Sequence, residues 1–217
     1  MKQAAADPIA PTVQIRLIDL DTVSDDALTP FLGWLNPDEL ARYQRFQRVV
    51  RQRQFLVGRV LLRWSLMQLT SLPRHAIRLT ERPDHAPLLQ LDGVELLPEF
   101  SLSHTGNWVA CACSSSTALG LDIEMLDPKR NLSALARHSF QDDELAWLQC
   151  QPDLVAAFYF LWSRREARYK LTQSHVSAGV ENCYALQHAE VSMVLMTAVA
   201  LTDQPEWSEL DWNNINS

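Results

Sequence analysis

The sequence predicts an α+β protein, because helical and strand-like segments are interspersed without the regular rhythm of a parallel βαβ sheet. Three segments support this prediction: an arginine-rich helical stretch at about 51–69, a strand–turn–strand pattern at 100–113, and a long helical pattern at 152–170. The chain has 217 residues, of which 47% are hydrophobic and 21% charged. This composition is typical of a folded globular protein with one domain or two small, closely packed ones.

Periodicity and cap residues place the elements along the chain. Residues 13–20 alternate between apolar and polar side chains, which predicts a strand. Asn36-Pro37-Asp38-Glu39 predicts a helix start, with an asparagine N-cap, proline in the first turn and acids near the positive end of the helix dipole. Further strands are predicted at 77–80, 88–91, 118–124, 184–186 and 191–201, and further helices at 125–137 and from 140 onwards. The last residues are expected to form a loosely held tail.

The charge of the chain is unevenly distributed. Ten arginines and a single acid, Glu81, lie between Arg42 and Arg82, so this segment carries +9. Since the whole chain carries −7, the remainder carries −16. A local basic block on an acidic protein favours an anionic ligand or an acidic protein partner over nucleic acid. The alternative is an arginine-rich helix face that is merely solvated.

The sequence predicts a cytoplasmic protein. No apolar run approaches the roughly 18–20 residues that cross a bilayer. The residues after Lys2 form no apolar core of the kind found in secretory signals. The four cysteines (Cys111, Cys113, Cys150 and Cys183) lack C-x-x-C spacing, so we expect reduced thiols, with Cys111 and Cys113 buried on one face of a strand.

The segment Gly-Leu-Asp-Ile-Glu at 120–124 carries the first candidate site residues. Side chains alternate along a strand, so Asp122 and Glu124 point to one face. Two adjacent carboxylates repel each other, and a cation between them relieves that repulsion. A solvated strand edge would show the same pattern, so this segment alone leaves both interpretations open.

The segment Trp-Ser-Arg-Arg-Glu-Ala-Arg-Tyr-Lys at 162–170 carries the second group. In a helix, Trp162, Glu166 and Lys170 follow one another at i, i+4 and i+8 and therefore share a face. Glu166 and Lys170 alone could be an exposed ion pair. With Asp122 and Glu124 they form a candidate site for a hard metal ion and a phosphate.

These segments resemble the surfactin-type 4′-phosphopantetheinyl transferases. That family has a Gly-x-Asp-x-Glu strand followed by a Trp-x-x-Lys-Glu-Ala-x-x-Lys helix, and here Glu124 and Glu166 are 42 residues apart. The family's Phe-Ser-x-Ser-His-(Ser/Thr) segment matches residues 100–105, its Phe-x-x-x-Glu segment matches 140–144, and its first long helix matches 55–63. The resemblance covers roughly residues 35–175.

The resemblance implies a pseudo-dimer of two similar α+β halves with the active site in the cleft between them. Residues 1–107 would form the basic, coenzyme A-binding half, and residues 108–217 the half with the metal-binding carboxylates. The implied reaction transfers the 4′-phosphopantetheine arm of coenzyme A to a serine of an apo acyl or peptidyl carrier protein, with Mg²⁺, and releases 3′,5′-ADP. A monomer that binds neither nucleic acid nor membrane is expected.

The family resemblance also implies roles for single residues. Asp122, Glu124 and Glu166 would hold Mg²⁺ against the pyrophosphate, and Asp122, Glu166 and Lys170 would be catalytic. The remaining coenzyme A contacts would come from Lys170, Ser103, His104, Arg53, Arg82 and Arg165. Either Glu166 or a metal-bound water would take the serine proton.

Three segments depart from the family pattern. Arg165 replaces the lysine before the glutamate, the Gly-Lys-Pro loop is Glu-Arg-Pro at 81–83, and the Gly-rich segment after Lys170 is Thr-Gln-Ser-His-Val-Ser-Ala-Gly. Two alternatives to the transferase remain open at this stage. One is an impaired relative that binds coenzyme A or a carrier protein as an adaptor, and the other is a different Mg²⁺-dependent phosphodiester or phosphoanhydride enzyme.

Overall fold

The computed structural model of the chain describes residues 12–82, 85–173 and 181–216. Within these ranges the helices are α1 (Asp25–Leu28), α2 (Pro37–Arg45), α3 (Val49–Thr70), α4 (Leu132–Ser139), α5 (Asp142–Gln149) and α6 (Leu154–Thr172). The strands are β1 (Gln14–Asp19), β2 (Ile77–Thr80), β3 (Leu88–Leu91), β4 (Glu99–Thr105), β5 (Trp108–Ser114), β6 (Leu119–Met125), β7 (Asn182–Leu186), β8 (Val191–Thr197) and β9 (Glu206–Glu209). Helices and strands are interspersed, which confirms the α+β class.

The first half of the protein is a sheet covered by the arginine-rich helix α3. Its strand order is β4-β5-β1-β9, and β4 and β5 form the predicted hairpin. Gly106 in the hairpin turn has a φ of 50°, a left-handed conformation that glycine adopts without steric cost. Leu56 and Val60 of α3 pack with Ile18 of β1 and Val109 of β5 in the core of this half.

The second half repeats the combination of a sheet and a long helix. Its strand order is β6-β8-β7, and α6 packs on this sheet through Ala167 and Leu171, which contact Val194 and Met196 of β8. Helices α4 and α5 cover α6 around Phe158. This repetition confirms the pseudo-dimeric arrangement of two α+β halves.

The sheets of the two halves share an apolar interface. Ile15 and Leu17 of β1 and Ala110 of β5 pack with Leu121 and Ile123 of β6, and all five side chains are buried. Two sheets packed in this way bury the side chains of both inner faces. The interface therefore holds the two halves together and brings β4 next to β6.

Gly120 permits a close approach between β6 and α6. A Cβ atom at this position would lie 2.6 Å from the backbone nitrogen of Leu171 and closer still to the carbonyl oxygen of Ala167. Both atoms belong to the helix backbone and cannot move aside. The glycine at the start of the Gly-x-Asp-x-Glu segment therefore sets the distance between the strand and the helix that carry the candidate site.

The C-terminal residues return to the first half, so the prediction of a loosely held tail is wrong. Strand β9 pairs in parallel with β1. Trp212 is 3% exposed and packs against Phe31, with ring centroids 4.7 Å apart, and Ile215 is buried in the same core. Trp212 and Ile215 are the two buried apolar residues of this polar segment, and two such residues are too few to show a hydrophobic period.

The predicted division of the chain at 107/108 falls within the β4–β5 hairpin. Strand β5 pairs with β4 on one side and β1 on the other, and the second sheet starts at β6. Cys111 and Cys113 lie buried on β5, as predicted. No helix in the described ranges is long and apolar enough to cross a membrane.

Candidate active site

Asp122 and Glu124 lie on the side of β6 that faces β4 and α6. Strand alternation places Leu121 and Ile123 on the opposite side, in the interface between the sheets. The Asp122 side chain is buried, and Glu124 is half-buried. The two carboxylates thus share one face of the strand, at the junction of the two halves.

Lys170 of α6 connects three segments of the candidate site. Its Nζ atom donates to Oδ1 of Asp122 at 2.8 Å, to the hydroxyl of Ser103 on β4 at 3.0 Å and to the carbonyl oxygen of Leu121 at 2.9 Å. The hydroxyl of Ser103 in turn donates to Oδ1 of Asp122 at 2.9 Å. An ammonium group has three donors, and all three are engaged here.

One oxygen of Asp122 has no hydrogen-bond partner among the described groups. Oδ2 is buried, whereas Oδ1 accepts from both Lys170 and Ser103. An unpaired buried carboxylate oxygen is costly, and hard cations such as Mg²⁺ prefer oxygen ligands. Asp122 and its neighbour Glu124 therefore fit a divalent cation.

Glu124 has a raised pKa. Burial is the main cause, and the negative charge of Asp122 adds to it. The Thr105 hydroxyl donates to Oε2 of Glu124 at 3.2 Å, and the indole N–H of Trp162 donates to the same carboxylate; both bonds favour the ionised form. A cation near this pair would relieve the repulsion that raises the pKa.

Glu166 lies on the surface of α6, four residues from Lys170 and four from Trp162. It lines a pocket of about 340 Å³ together with His138, Ser139, Trp162 and Arg165. In the part of the chain that the structure describes, no three His, Cys, Asp or Glu side chains form a group that could hold a metal ion. The structure thus brings Asp122 and Glu124 together with Lys170. Glu166 is not part of this group, and its exposed side chain lies on the face of α6 that also carries Lys170.

His104 lies at the edge of a separate small pocket of about 130 Å³ on the first half. The guanidinium of Arg51 contacts the ring, with Nη1 at 2.8 Å from Nε2, and Arg42, Arg59 and Ser103 also line the pocket. Desolvation and the positive charge of Arg51 lower the pKa of His104 to about 4. The ring is therefore neutral at pH 7.

Arg82 and Lys170 border a different pocket from His104. Both residues line a pocket of about 140 Å³ with Phe100 and Leu119, and Nε of Arg82 donates to the carbonyl oxygen of Ala86 at 2.9 Å. The Arg82 and Lys170 side chains thus border the same pocket. Pro83 and residues 174–179, which are parts of two of the sequence departures, lie outside the described residues.

Two of the predicted coenzyme A contacts are engaged elsewhere. The Arg53 guanidinium forms an ion pair with Asp25 and donates to the carbonyl oxygens of Leu20 and Val23, which ties α3 to the N-terminal segment. Arg165 lies over the Phe140 ring at 5.8 Å. Arg165 is exposed and also lines the pocket of Glu166. The roles of Arg53 and Arg165 in coenzyme A binding stay predictions.

Two residues of the site were missed by sequence reasoning. Arg51 was counted only as a member of the basic block, and its contact with His104 spans 53 residues. Thr105 was part of the matched segment at 100–105 but was given no role. Its position two residues after Ser103 on a strand was the available signal, because the two share a face.

Both halves of the chain match known protein families. Residues 118–212 match a family model described as the 4′-phosphopantetheinyl transferase superfamily, and residues 22–116 match one described as the N-terminal part of 4′-phosphopantetheinyl transferase. The two models meet between β5 and β6, where one sheet gives way to the other.

Several curated relatives carry the name 4′-phosphopantetheinyl transferase, and three of them illustrate the similarity. HetI of Nostoc is 28% identical over 86% of this chain and 77% of its own length. The psf-1 protein of Bacillus pumilus is 32% identical over 72% of this chain and 64% of its own length, and Sfp of Bacillus subtilis is 28% identical over 64% and 61%. The matched region thus spans less than two thirds of the latter two. With family models matching both halves in order, the chain belongs to the 4′-phosphopantetheinyl transferase superfamily.

Proposed function

We propose that this protein transfers the 4′-phosphopantetheine group of coenzyme A to a serine of an apo acyl or peptidyl carrier protein, in a Mg²⁺-dependent reaction that releases 3′,5′-ADP. The observation that carries the proposal is the cluster of Asp122, Ser103 and Lys170. These residues belong to three different matched segments, yet their polar atoms lie within 3.0 Å of one another. Membership of the surfactin-type group within the superfamily is part of the proposal.

The basic residues around this cluster suit the anionic substrate. Coenzyme A carries a pyrophosphate and a 3′-phosphate, and oriented cationic donors stabilise such groups in partly buried sites. Lys170 and Arg82 line one pocket and would face the pyrophosphate, while His104 and Ser103 border the other. Since all three donors of Lys170 are engaged, it would exchange one contact for a phosphate oxygen.

Asp122, Glu124 and Glu166 would hold the Mg²⁺. When bound, the ion would neutralise negative charge on the pyrophosphate as the leaving group departs. Asp122 would contribute its unpaired Oδ2, and the exposed carboxylate of Glu166 would complete the set. Glu166 is also a candidate to accept the serine proton, because it is exposed to an incoming protein.

Intact-mass measurement of an apo acyl carrier protein tests the proposal most directly. The carrier is incubated with this protein, coenzyme A and Mg²⁺, with EDTA added in a parallel reaction. We expect a mass gain of one phosphopantetheine group that EDTA suppresses. No gain with either a fatty-acid or a peptide-synthetase carrier would contradict the transferase and favour the adaptor. Release of 3′,5′-ADP without any carrier would indicate a hydrolase.

A further inference from the structure

Three hydroxyl groups of β4 bind the backbone of β6 in a repeating pattern. Each accepts a backbone amide of β6: Ser101 from Leu121 at 2.9 Å, Ser103 from Ile123 at 3.2 Å and Thr105 from Met125 at 3.2 Å. The three hydroxyls are spaced two residues apart and therefore share one face of β4. They join the edge of the first sheet to the second sheet through side chains.

The same hydroxyls differ in where they donate. The Ser103 hydroxyl donates to Oδ1 of Asp122 at 2.9 Å, and the Thr105 hydroxyl donates to Oε2 of Glu124 at 3.2 Å. The hydroxyl of Ser101 instead reaches the carbonyl oxygen of Leu121 at 3.4 Å. Two of the three thus orient a carboxylate of the candidate site, and the third only connects the strands.

We propose that Thr105 is a positioning residue that holds Glu124 beside Asp122 for a divalent cation. This inference rests on the proposed function, because it assumes that these carboxylates hold the metal. Glu124 has several rotatable bonds, and repulsion from Asp122 favours rotamers that point away. The Thr105 hydroxyl opposes this, since its own orientation is fixed by the amide of Met125. Hydrogen bonds that orient metal ligands commonly change metal affinity by about 10–100-fold when removed.

The alternative is that Thr105 serves only to fasten β4 to β6. Ser101 provides the comparison, because it makes the same kind of amide contact on the same strand but touches no carboxylate. If Thr105 only fastened β4 to β6, loss of the Thr105 hydroxyl and loss of the Ser101 hydroxyl would have the same effect on metal affinity. If Thr105 positions Glu124, only its loss would weaken metal binding.

The test compares Thr105→Val, Thr105→Ser and Ser101→Ala in the full chain. Mn²⁺ binding is measured by electron paramagnetic resonance, with and without inorganic pyrophosphate and in the absence of coenzyme A and carrier. We expect the valine variant to bind Mn²⁺ about tenfold more weakly, the serine variant to recover most of that loss, and the alanine variant to stay within about twofold of wild type. Thermal unfolding of each variant identifies any that fails to fold.

Two results would overturn the proposal. One is equal Mn²⁺ affinity of the folded valine variant and the wild type, or an equal loss in the alanine variant. The other is the absence of Mn²⁺ binding to the wild type even with pyrophosphate. Neither result decides whether the carrier is modified, because the intact-mass measurement answers that question separately.

Discussion

Lys170 and Asp122 form an ion pair across 2.8 Å that connects α6 to β6 at the junction of the two halves. The Asp122 side chain is nearly inaccessible to solvent, whereas that of Lys170 is partly exposed. The buried carboxylate of Asp122 therefore needs Lys170 as its partner, while the ammonium group of Lys170 can still contact a ligand. This arrangement leads to the first prediction.

Replacement of Lys170 by methionine should reduce both transfer and stability. Asp122 would lose its cation, and leaving a buried charged group unpaired costs about 1–3 kcal/mol or more. Loss of a donor to the pyrophosphate should reduce turnover by about 100-fold or more. Urea unfolding and carrier modification would be measured for Lys170→Met and for Lys170→Met with Asp122→Asn. The double variant should regain stability without regaining activity, and equal stability of all three proteins would contradict the assigned pairing.

Replacement of Glu166 by glutamine should remove transfer and leave the fold intact. The side chain is exposed, so its loss should change stability by less than about 0.5 kcal/mol. Arg168→Gln on the exposed side of the same helix is the matched control and should retain activity. Near-wild-type turnover of Glu166→Gln would exclude Glu166 from the proposed mechanism.

Replacement of Gly120 by alanine should destabilise the protein by about 1–3 kcal/mol, because the new methyl group would collide with the backbone of α6. Gly33 offers a matched control, since a Cβ atom there meets nothing within 4 Å. Gly33→Ala should stay within about 0.5 kcal/mol of wild type in chemical denaturation. Equal effects of the two substitutions would refute the close contact between β6 and α6.

The low pKa of His104 should make the stability of the protein depend on pH. The folded-state pKa of about 4 lies below the ordinary histidine pKa of 6.5, so the unfolded chain binds the proton more readily between these two values. The contribution of His104 is therefore complete above pH 6.5 and declines as the pH falls towards 4. Arg51→Gln should raise the His104 pKa and weaken this dependence, as NMR titration of the ring would detect. An unchanged His104 pKa in that variant would mean that burial alone depresses it.

Local patterns in the sequence predicted much of the fold. Alternation along residues 120–124 placed Asp122 and Glu124 on one face, and the cap residues Asn36 and Glu39 predicted the start of α2, where the structure has a capping box. These predictions succeeded because the interactions lie within a few residues of each other. The segment similarity then identified Lys170 and Ser103, which are 67 residues apart.

Contacts between distant segments account for what was missed. Nothing in the local sequence of Arg51 specifies a histidine on β4, and nothing around Trp212 specifies Phe31 as its neighbour. Such pairs depend on how segments far apart in the chain pack onto the first sheet. A single sequence does not encode that geometry in a readable period. Sequence reasoning therefore predicted Asp122, Glu124 and Lys170 as candidate site residues but gave no role to Arg51 and Thr105, which contact His104 and Glu124.

The return of the chain end to the first half has a consequence for biosynthesis. Strand β1 lies between β5 and β9, and Trp212 fills part of the core beneath α3. During translation, residues 12–116 would emerge before β9 and Trp212. One edge of β1 would then be unpaired, and the core of the first half would lack the Trp212 side chain. The first half would therefore complete its core only after the second half has been synthesised. The two halves are similar in architecture, but the first depends on the end of the chain. Expressed alone, it would expose an unpaired edge of β1 that favours aggregation.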